Sequence, residues 1–462
     1  MSIFSIVNFT AFHYKKMSNL KLYQLFLFFL LITSIFFIFL PALDAKYATI
    51  DDRTMLASYS GSLKDLSWKY IVNTFKHRHA GLYHPLVTLS YSLEKTLFGY
   101  VPAIFHFNNI LLHAINTVLV FLIFFYLSKS FWLTFIITAL FAIHPTRAEV
   151  VCWISSRKDL LYSLFYLLSV WFYIKSYEKK KLVLWITLSI FFYLVACLSK
   201  PMAITLPFAL VIIDYYKGFL NKEKIKIYSS YFIITLFFIV VAFVAHYANL
   251  QSARFHFDIF RQTVNFINAH FNILFYLDKL VFPIKLYCMY PFFYNEFGSL
   301  PPKYILYSPA VLYLLIYFCY LSLTKTKIIF CGFMFFFICM LPASSVFPIG
   351  DFVVADRYTY IPYLGLFFIF AKFIIYLYHC LEKCKITKLK FSIIILCLTI
   401  FGTLNYLTFN RTLDWKKNSV SAPVWMTYYD FGIENFFEKR KARKKNKKLL
   451  KEILKNITNN AK

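Results

Sequence analysis

The chain has 462 residues, of which 60% are hydrophobic, and a mean hydropathy of +0.61. One soluble core of this length cannot hide that much apolar surface, so a water-soluble globular fold is excluded and a bilayer must be the solvent. The formal net charge is +29, but Lys and Arg cluster in short stretches between apolar runs, which reads as membrane topology and not as a nucleic-acid surface.

The first apolar run, Leu22 to Leu40, follows Lys15, Lys16 and Lys21 and reads as an uncleaved first span. The loop after it, YATIDDRTMLAS, sets the adjacent carboxylates Asp51 and Asp52 beside Arg53, close to where the chain leaves the membrane. A carboxylate there can take a proton from an acceptor hydroxyl, with the neighbouring charges tuning its pKa; a solvated turn or helix cap is the plainer use of such a pair.

Further runs of about twenty apolar residues, the length that crosses roughly 30 Å of hydrocarbon, fall near 107–127, 131–145, 160–175, 183–198, 202–216, 230–247, 304–323, 328–347, 359–379 and 391–409. With the first, they predict an all-α polytopic membrane protein of about eleven spans. The short loops holding Lys129, Lys179 to Lys181, Lys222, Lys224 and Lys226, Lys325 and Lys327, and Lys383, Lys385, Lys388 and Lys390 belong on the cytoplasmic side. The chemistry-bearing loops then share the opposite face. The stretch Val264 to Met289 is apolar but carries Asn265, Asn268, His270, Asn272, Asp278, Lys279 and Pro283, and reads as re-entrant or interfacial.

Four clusters carry candidate chemistry. Besides the aspartate pair, AIHPTRAEVVCWISSRKDLL crowds His144, Arg147, Glu149, Arg157, Lys158 and Asp159 into one loop. CLSKPMAITLPF puts Lys200 at a helix boundary, and GDFVVADRYTYIPYLG puts Asp351, Asp356, Arg357, Tyr358 and Tyr360 at another. Cations at such boundaries hold phosphate where water is partly excluded, or simply anchor to lipid headgroups. His84 and His113 are candidate ligands, with satisfied structural histidines as the plainer reading. The nine cysteines show no close metal-like spacing, so neither a disulfide framework nor a metal site is expected; no cofactor is called for, and a metal requirement stays open. After residue 409, a basic tail through Lys439 to Lys448 has the pattern of one helical hairpin, so the chain divides into a membrane domain, 1–409, and an extracytoplasmic tail, 410–462.

In order along residues 50 to 365, IDDR, YHPLVTLSYSLEKTLFG, FHFNNILLHAINTVLVF, FAIHPTRAEVVCWISSRKDLL, LSKPMAITLPFALVIIDYY, YLDKLVFPIKLYCMYPF and VVADRYTYIPYLGL resemble the transmembrane and tetratricopeptide-repeat containing O-mannosyltransferase-like proteins of the GT-C glycosyltransferase superfamily and their bacterial relatives. The resemblance implies a GT-C-like bundle with extracytoplasmic catalytic loops, a polyprenyl-phosphate sugar donor (mannose being the candidate sugar) and a protein or glycan acceptor. It also implies a bacterial inner membrane, or the endoplasmic reticulum membrane in a eukaryote, and membrane lipid as the surroundings. Carried onto this chain, it marks Asp51 and Asp52 as catalytic, and Arg157, Lys158 and Arg357 as donor contacts. Charge and position add Arg53, His144, Glu149, Asp159, Lys200, Asp356 and Tyr358 to the substrate-binding set. Relatives commonly continue into several repeats, whereas one repeat-like hairpin fits here. A lipid-linked-substrate flippase would instead place ionisable groups near the bilayer midplane, and a noncatalytic scaffold would need no charged loops.

Overall fold

The computed structural model describes residues 21–48, 51–56, 63–79, 83–178, 180–250, 259–288, 290–291, isolated positions between 309 and 323, 326–344 and 352–418. Almost all of them are helical. In chain order the helices are α1 (Leu22–Phe39), α2 (Asp52–Leu56), α3 (Trp68–Lys76), α4 (Pro85–Phe98), α5 (Pro102–Ser128), α6 (Phe131–Ile143), α7 (Arg147–Cys152), α8 (Arg157–Lys175), α9 (Leu182–Ser199), α10 (Leu206–Lys217), α11 (Ile225–Leu250), α12 (Ile259–Val281), α13 (Lys327–Met340), α14 (Tyr363–Lys383) and α15 (Thr387–Asn418). Two short strands, β1 (Tyr290–Pro291) and β2 (Phe352–Val354), pair antiparallel.

Six helical stretches among the described residues are long and apolar enough to cross a membrane: Leu22–Asp44, Pro102–Ser128, Leu182–Ser199, Lys222–Ala242, Tyr363–Lys383 and Thr387–Lys417. Phe131–Ile143 and Lys327–Ala343 are apolar but shorter. The hydropathy window at 304–323 lies almost wholly outside the described residues, as does the hairpin-like tail beyond 418.

Local chemistry moves several boundaries from where hydropathy put them. α6 stops at Ile143 because Pro145 disfavours helical backbone at His144. The window at 202–216 splits into a 3-10 turn, Pro201–Thr205, and α10, which Gly218 ends in the left-handed conformation (φ 72°). The window at 359–379 shifts to α14 because Asp356–Thr359 forms its own 3-10 turn. α15 runs on to Asn418, past the apolar run, which brings Arg411 and Trp415 into the protein.

In a bilayer, helices associate through close packing more than through burial, so small residues matter at crossings. α13 and α14 cross at Gly332 and Gly365. A Cβ on Gly365 would lie 2.2 Å from the Gly332 carbonyl oxygen, and one on Gly332 would lie 2.6 Å from the Gly365 oxygen. Backbone cannot yield as a flexible side chain can. Gly365→Ala is therefore expected to destabilise the bundle by about 1–3 kcal/mol, read as a lowered Tm in detergent. An unchanged Tm would mean that the crossing is looser than described.

The two ends of the bundle differ in chemistry. One gathers the short basic loops: Asp214 accepts hydrogen bonds from Tyr173 (2.5 Å), Tyr177 (2.6 Å), Tyr228 and Lys224 (2.7 Å), and Lys217 donates to the Leu127 carbonyl (3.0 Å). At the other end lie α2, α7, the turn after α9, the C-terminal end of α12, the turn before α14 and the end of α15. There His144 meets the Leu280 carbonyl (3.2 Å), Tyr276 meets Ala355 (3.3 Å) and Lys416 bridges Asp44 (2.6 Å).

Candidate functional site

The four charged sequence clusters meet at this second end. Asp52, at the start of α2, is buried; its Oδ2 accepts from the Ala48 amide (2.8 Å), and its Oδ1 accepts from the Ser155 amide (2.9 Å) and the Ser155 hydroxyl. The aspartate thus ties the first loop to the turn before α8. Burial pushes its carboxyl up to about 7, while those hydrogen bonds pull the other way.

A carboxyl whose folded pKa is raised contributes stability below its unfolded pKa, and that contribution is lost as pH rises through about 7. Asp52→Asn is expected to flatten the fall in Tm between pH 5 and 8, an effect of a few kcal/mol by linkage. Parallel pH profiles of Tm in both proteins would contradict this.

Asp51 is the opposite case. It is exposed, has a left-handed backbone (φ 59°), and among the described residues its carboxylate has no partner. The side chain of Arg53 lies outside the described residues, as does Asp351.

Glu149, on α7, accepts from the backbone amide (2.8 Å) and guanidinium Nη1 (2.5 Å) of Arg357, both buried. Lys200 donates to Asp159 (2.5 Å), whose other oxygen, Oδ2, is buried without a donor among the described residues. The Arg357 guanidinium lies 5.2 Å from the Trp153 ring and 5.0 Å from the Tyr358 ring, and Lys200 lies 5.3 Å from Tyr358. Aromatic faces hold these cations where water is scarce.

Lys158 stands apart. It lies 5.9 Å from the Trp153 ring centre, is half-buried, and has no carboxylate within salt-bridge distance among the described residues. Burial lowers its pKa, the charges of Arg357 and Lys200 lower it further, and Asp51 acts in the opposite direction. An ammonium in no salt bridge among the described residues, beside cations that are already paired, can accept an anionic ligand.

Two residues of the predicted set are occupied elsewhere. Arg157 is fully engaged: Nε donates to Asn109 (2.8 Å), Nη2 to the Phe105 carbonyl (2.7 Å) and Nη1 to Glu94. It fastens α4 and α5 to α8, and each of its three nitrogens already donates to a protein acceptor. His144 is likewise satisfied, with Thr146 (2.9 Å) on Nδ1 and Leu280 on Nε2. Asp356 is buried and accepts from Tyr290 (3.1 Å); burial and the charge of Glu149 raise its pKa.

Several groups escaped sequence reasoning. Glu94 sits in an ordinary-looking amphipathic helix, and only its pairing with Arg157 reveals its importance. Ser155 has no signal beyond its place in ISSR. Trp415 stacks on Trp153 (6.1 Å), and its indole nitrogen and Arg411 Nη2 are buried donors without acceptors among the described residues. The hydropathy window ends before both. Arg147, which the sequence already places in its charged cluster, is wholly buried among Phe141, Tyr360, Tyr363 and Phe367, and among the described residues makes one hydrogen bond, to the Thr359 carbonyl (3.3 Å). Among the described residues no group of three or more His, Cys, Asp or Glu is arranged to hold a metal ion.

This chain is similar to protein O-mannosyl-transferases. It is 25% identical over 378 residues to Protein O-mannosyl-transferase TMTC3 of Homo sapiens, covering 72% of this chain and 40% of the relative. It is 36% identical over 147 residues to Protein O-mannosyl-transferase TMTC2 of Homo sapiens (30% and 17%) and 31% identical over 181 residues to Protein O-mannosyl-transferase Tmtc1 of Drosophila melanogaster (37% and 20%). The chain thus spans less than half the length of these curated relatives, 40% at most. No family model and no solved structure matches it.

Proposed function

We propose that this chain is a membrane glycosyltransferase of the transmembrane and tetratricopeptide-repeat containing O-mannosyltransferase-like kind, with a GT-C-like bundle of about eleven spans. It moves a sugar, mannose by analogy with the names of its relatives, from a polyprenyl phosphate to a hydroxyl on a protein acceptor. The chemistry lies at the extracytoplasmic face, opposite the basic loops. The observation that carries this is the juxtaposition of an exposed, unpaired carboxylate, Asp51, with an unpaired ammonium, Lys158, in one cluster of buried charge.

The two groups have complementary roles. Asp51 accepts the proton of the acceptor hydroxyl as its oxygen attacks the anomeric carbon. The bond from that carbon to the phosphate oxygen breaks on the opposite side, and the phosphate leaves with the electron pair, so configuration inverts through an oxocarbenium-like transition state. Lys158 stabilises the departing phosphate, with the paired Arg357 and Lys200 behind it. Asp52 positions the loop through Ser155. Glu149 and Asp159 keep the cations in place, and the Asp159 Oδ2 is free to accept a sugar hydroxyl.

Membranes containing the protein, incubated with a panel of labelled polyprenyl-phosphate sugars, are expected to transfer label to protein from one of them, and Lys158→Ala to reduce that transfer by about 10²-fold or more. Movement of intact donor across vesicles with no covalent product would instead identify a flippase.

A further inference from the structure

One further buried side chain lies within electrostatic reach of Lys158 and Lys200. His84 is the N-cap residue of α4, directly before Pro85, and its ring is 5% exposed. Among the described residues neither Nδ1 nor Nε2 has a hydrogen-bond partner. The plainer sequence reading, a satisfied histidine, describes His113, which like His144 has both ring nitrogens engaged, but not His84. Buried polar groups are nearly always paired, so a ring with both nitrogens open beside an unpaired ammonium calls for an absent partner.

The surroundings define that partner. The charges acting on His84 are those of Lys158, His79 and Lys200, all cationic when charged. Burial, reinforced first by Lys158, pushes the imidazole down to about 3, so it stays neutral and offers one N–H donor. α4 is fourteen residues long, and its N-terminus adds the positive end of a helix dipole. A neutral donor, an ammonium and a helix N-terminus together suit an anion carrying several acceptor oxygens.

We propose that His84 is a hydrogen-bond ligand of the phosphate of a polyprenyl phosphate, donating its ring N–H beside the ammonium of Lys158 at the N-terminus of α4. This rests on the glycosyltransferase assignment for the nature of the phosphate. It adds a contact that charge alone does not reveal, because the group is neutral.

The test uses the purified full chain in detergent, with thermal stabilisation titrated against farnesyl phosphate, farnesol and dioleoyl phosphatidate. Farnesyl phosphate is expected to stabilise the wild type where the other two do not, and His84→Ala to weaken that response about 10- to 100-fold. An amide can replace the donor: Asn reaches where Nδ1 lies and Gln where Nε2 lies, so one of His84→Asn and His84→Gln should restore most of the affinity and identify the donating nitrogen. Lys158→Ala should weaken binding as well.

Wild-type affinity in His84→Ala beside weakened binding in Lys158→Ala overturns the role of His84 and leaves the glycosyltransferase assignment standing. Wild-type affinity in both removes the phosphate site, and the donor assignment with it. An equal response to phosphatidate makes this a lipid-headgroup site and overturns the proposal. Should His84→Ala not fold, folded Asn and Gln variants that both bind as weakly as Lys158→Ala decide against it.

Discussion

Asp51→Asn is expected to lower glycosyl transfer by about 10²- to 10⁴-fold, the usual contribution of a positioned general base, with little change in Tm. The side chain is exposed and makes no hydrogen bond that its loss would break. Asp52→Asn should show a different profile. Its carboxylate accepts three hydrogen bonds from Ala48 and Ser155, so substitution loosens the loop that carries Asp51 and lowers stability together with activity. Paired measurement of Tm and initial rate separates base from tether. Full activity in Asp51→Asn would end the assignment of Asp51 as the base, and an intact Tm with abolished transfer in Asp52→Asn would move the role one residue along.

The second large effect concerns stability. Glu149→Gln removes the charge that faces Arg357 while leaving the guanidinium buried, and an uncompensated buried charge costs about 3–5 kcal/mol. A sharp loss of folded protein in detergent is expected. The double variant Glu149→Gln/Arg357→Gln should be less damaging than the sum of the singles, because the second change removes the stranded charge. Strict additivity would show that the pair does not interact as described.

Neighbouring residues in the sequence have divided roles here, and this is where sequence reasoning reached its limit. IDDR marks two aspartates as equivalent, but the first turn of α2 directs one to solvent and the other toward Ser155, 103 residues away. SSRKDLL marks Arg157 and Lys158 alike as phosphate contacts. Successive helical residues point about 100° apart, and so Arg157 turns into the interface with α4 and α5, whereas Lys158 turns toward Trp153. His84 escaped for the converse reason: a histidine before a helix-starting proline looks structural until both its nitrogens are found unpaired.

The composition and spacing of apolar runs were sufficient to determine a helical protein that needs a bilayer, because crossing hydrocarbon requires long apolar helices whatever their neighbours. The positions of the charged loops at helix ends were legible for the same reason, since charge is expelled from the apolar stretches. Which charges pair was decided only in three dimensions. Glu149 and Arg357 are 208 positions apart and Asp159 and Lys200 are 41 apart, and no local pattern encodes such partners. Packing of the helices brings these loops to one end and satisfies some of their charges, while among the described residues it gives the side chains of Asp51 and His84 no hydrogen bond and Lys158 no salt bridge.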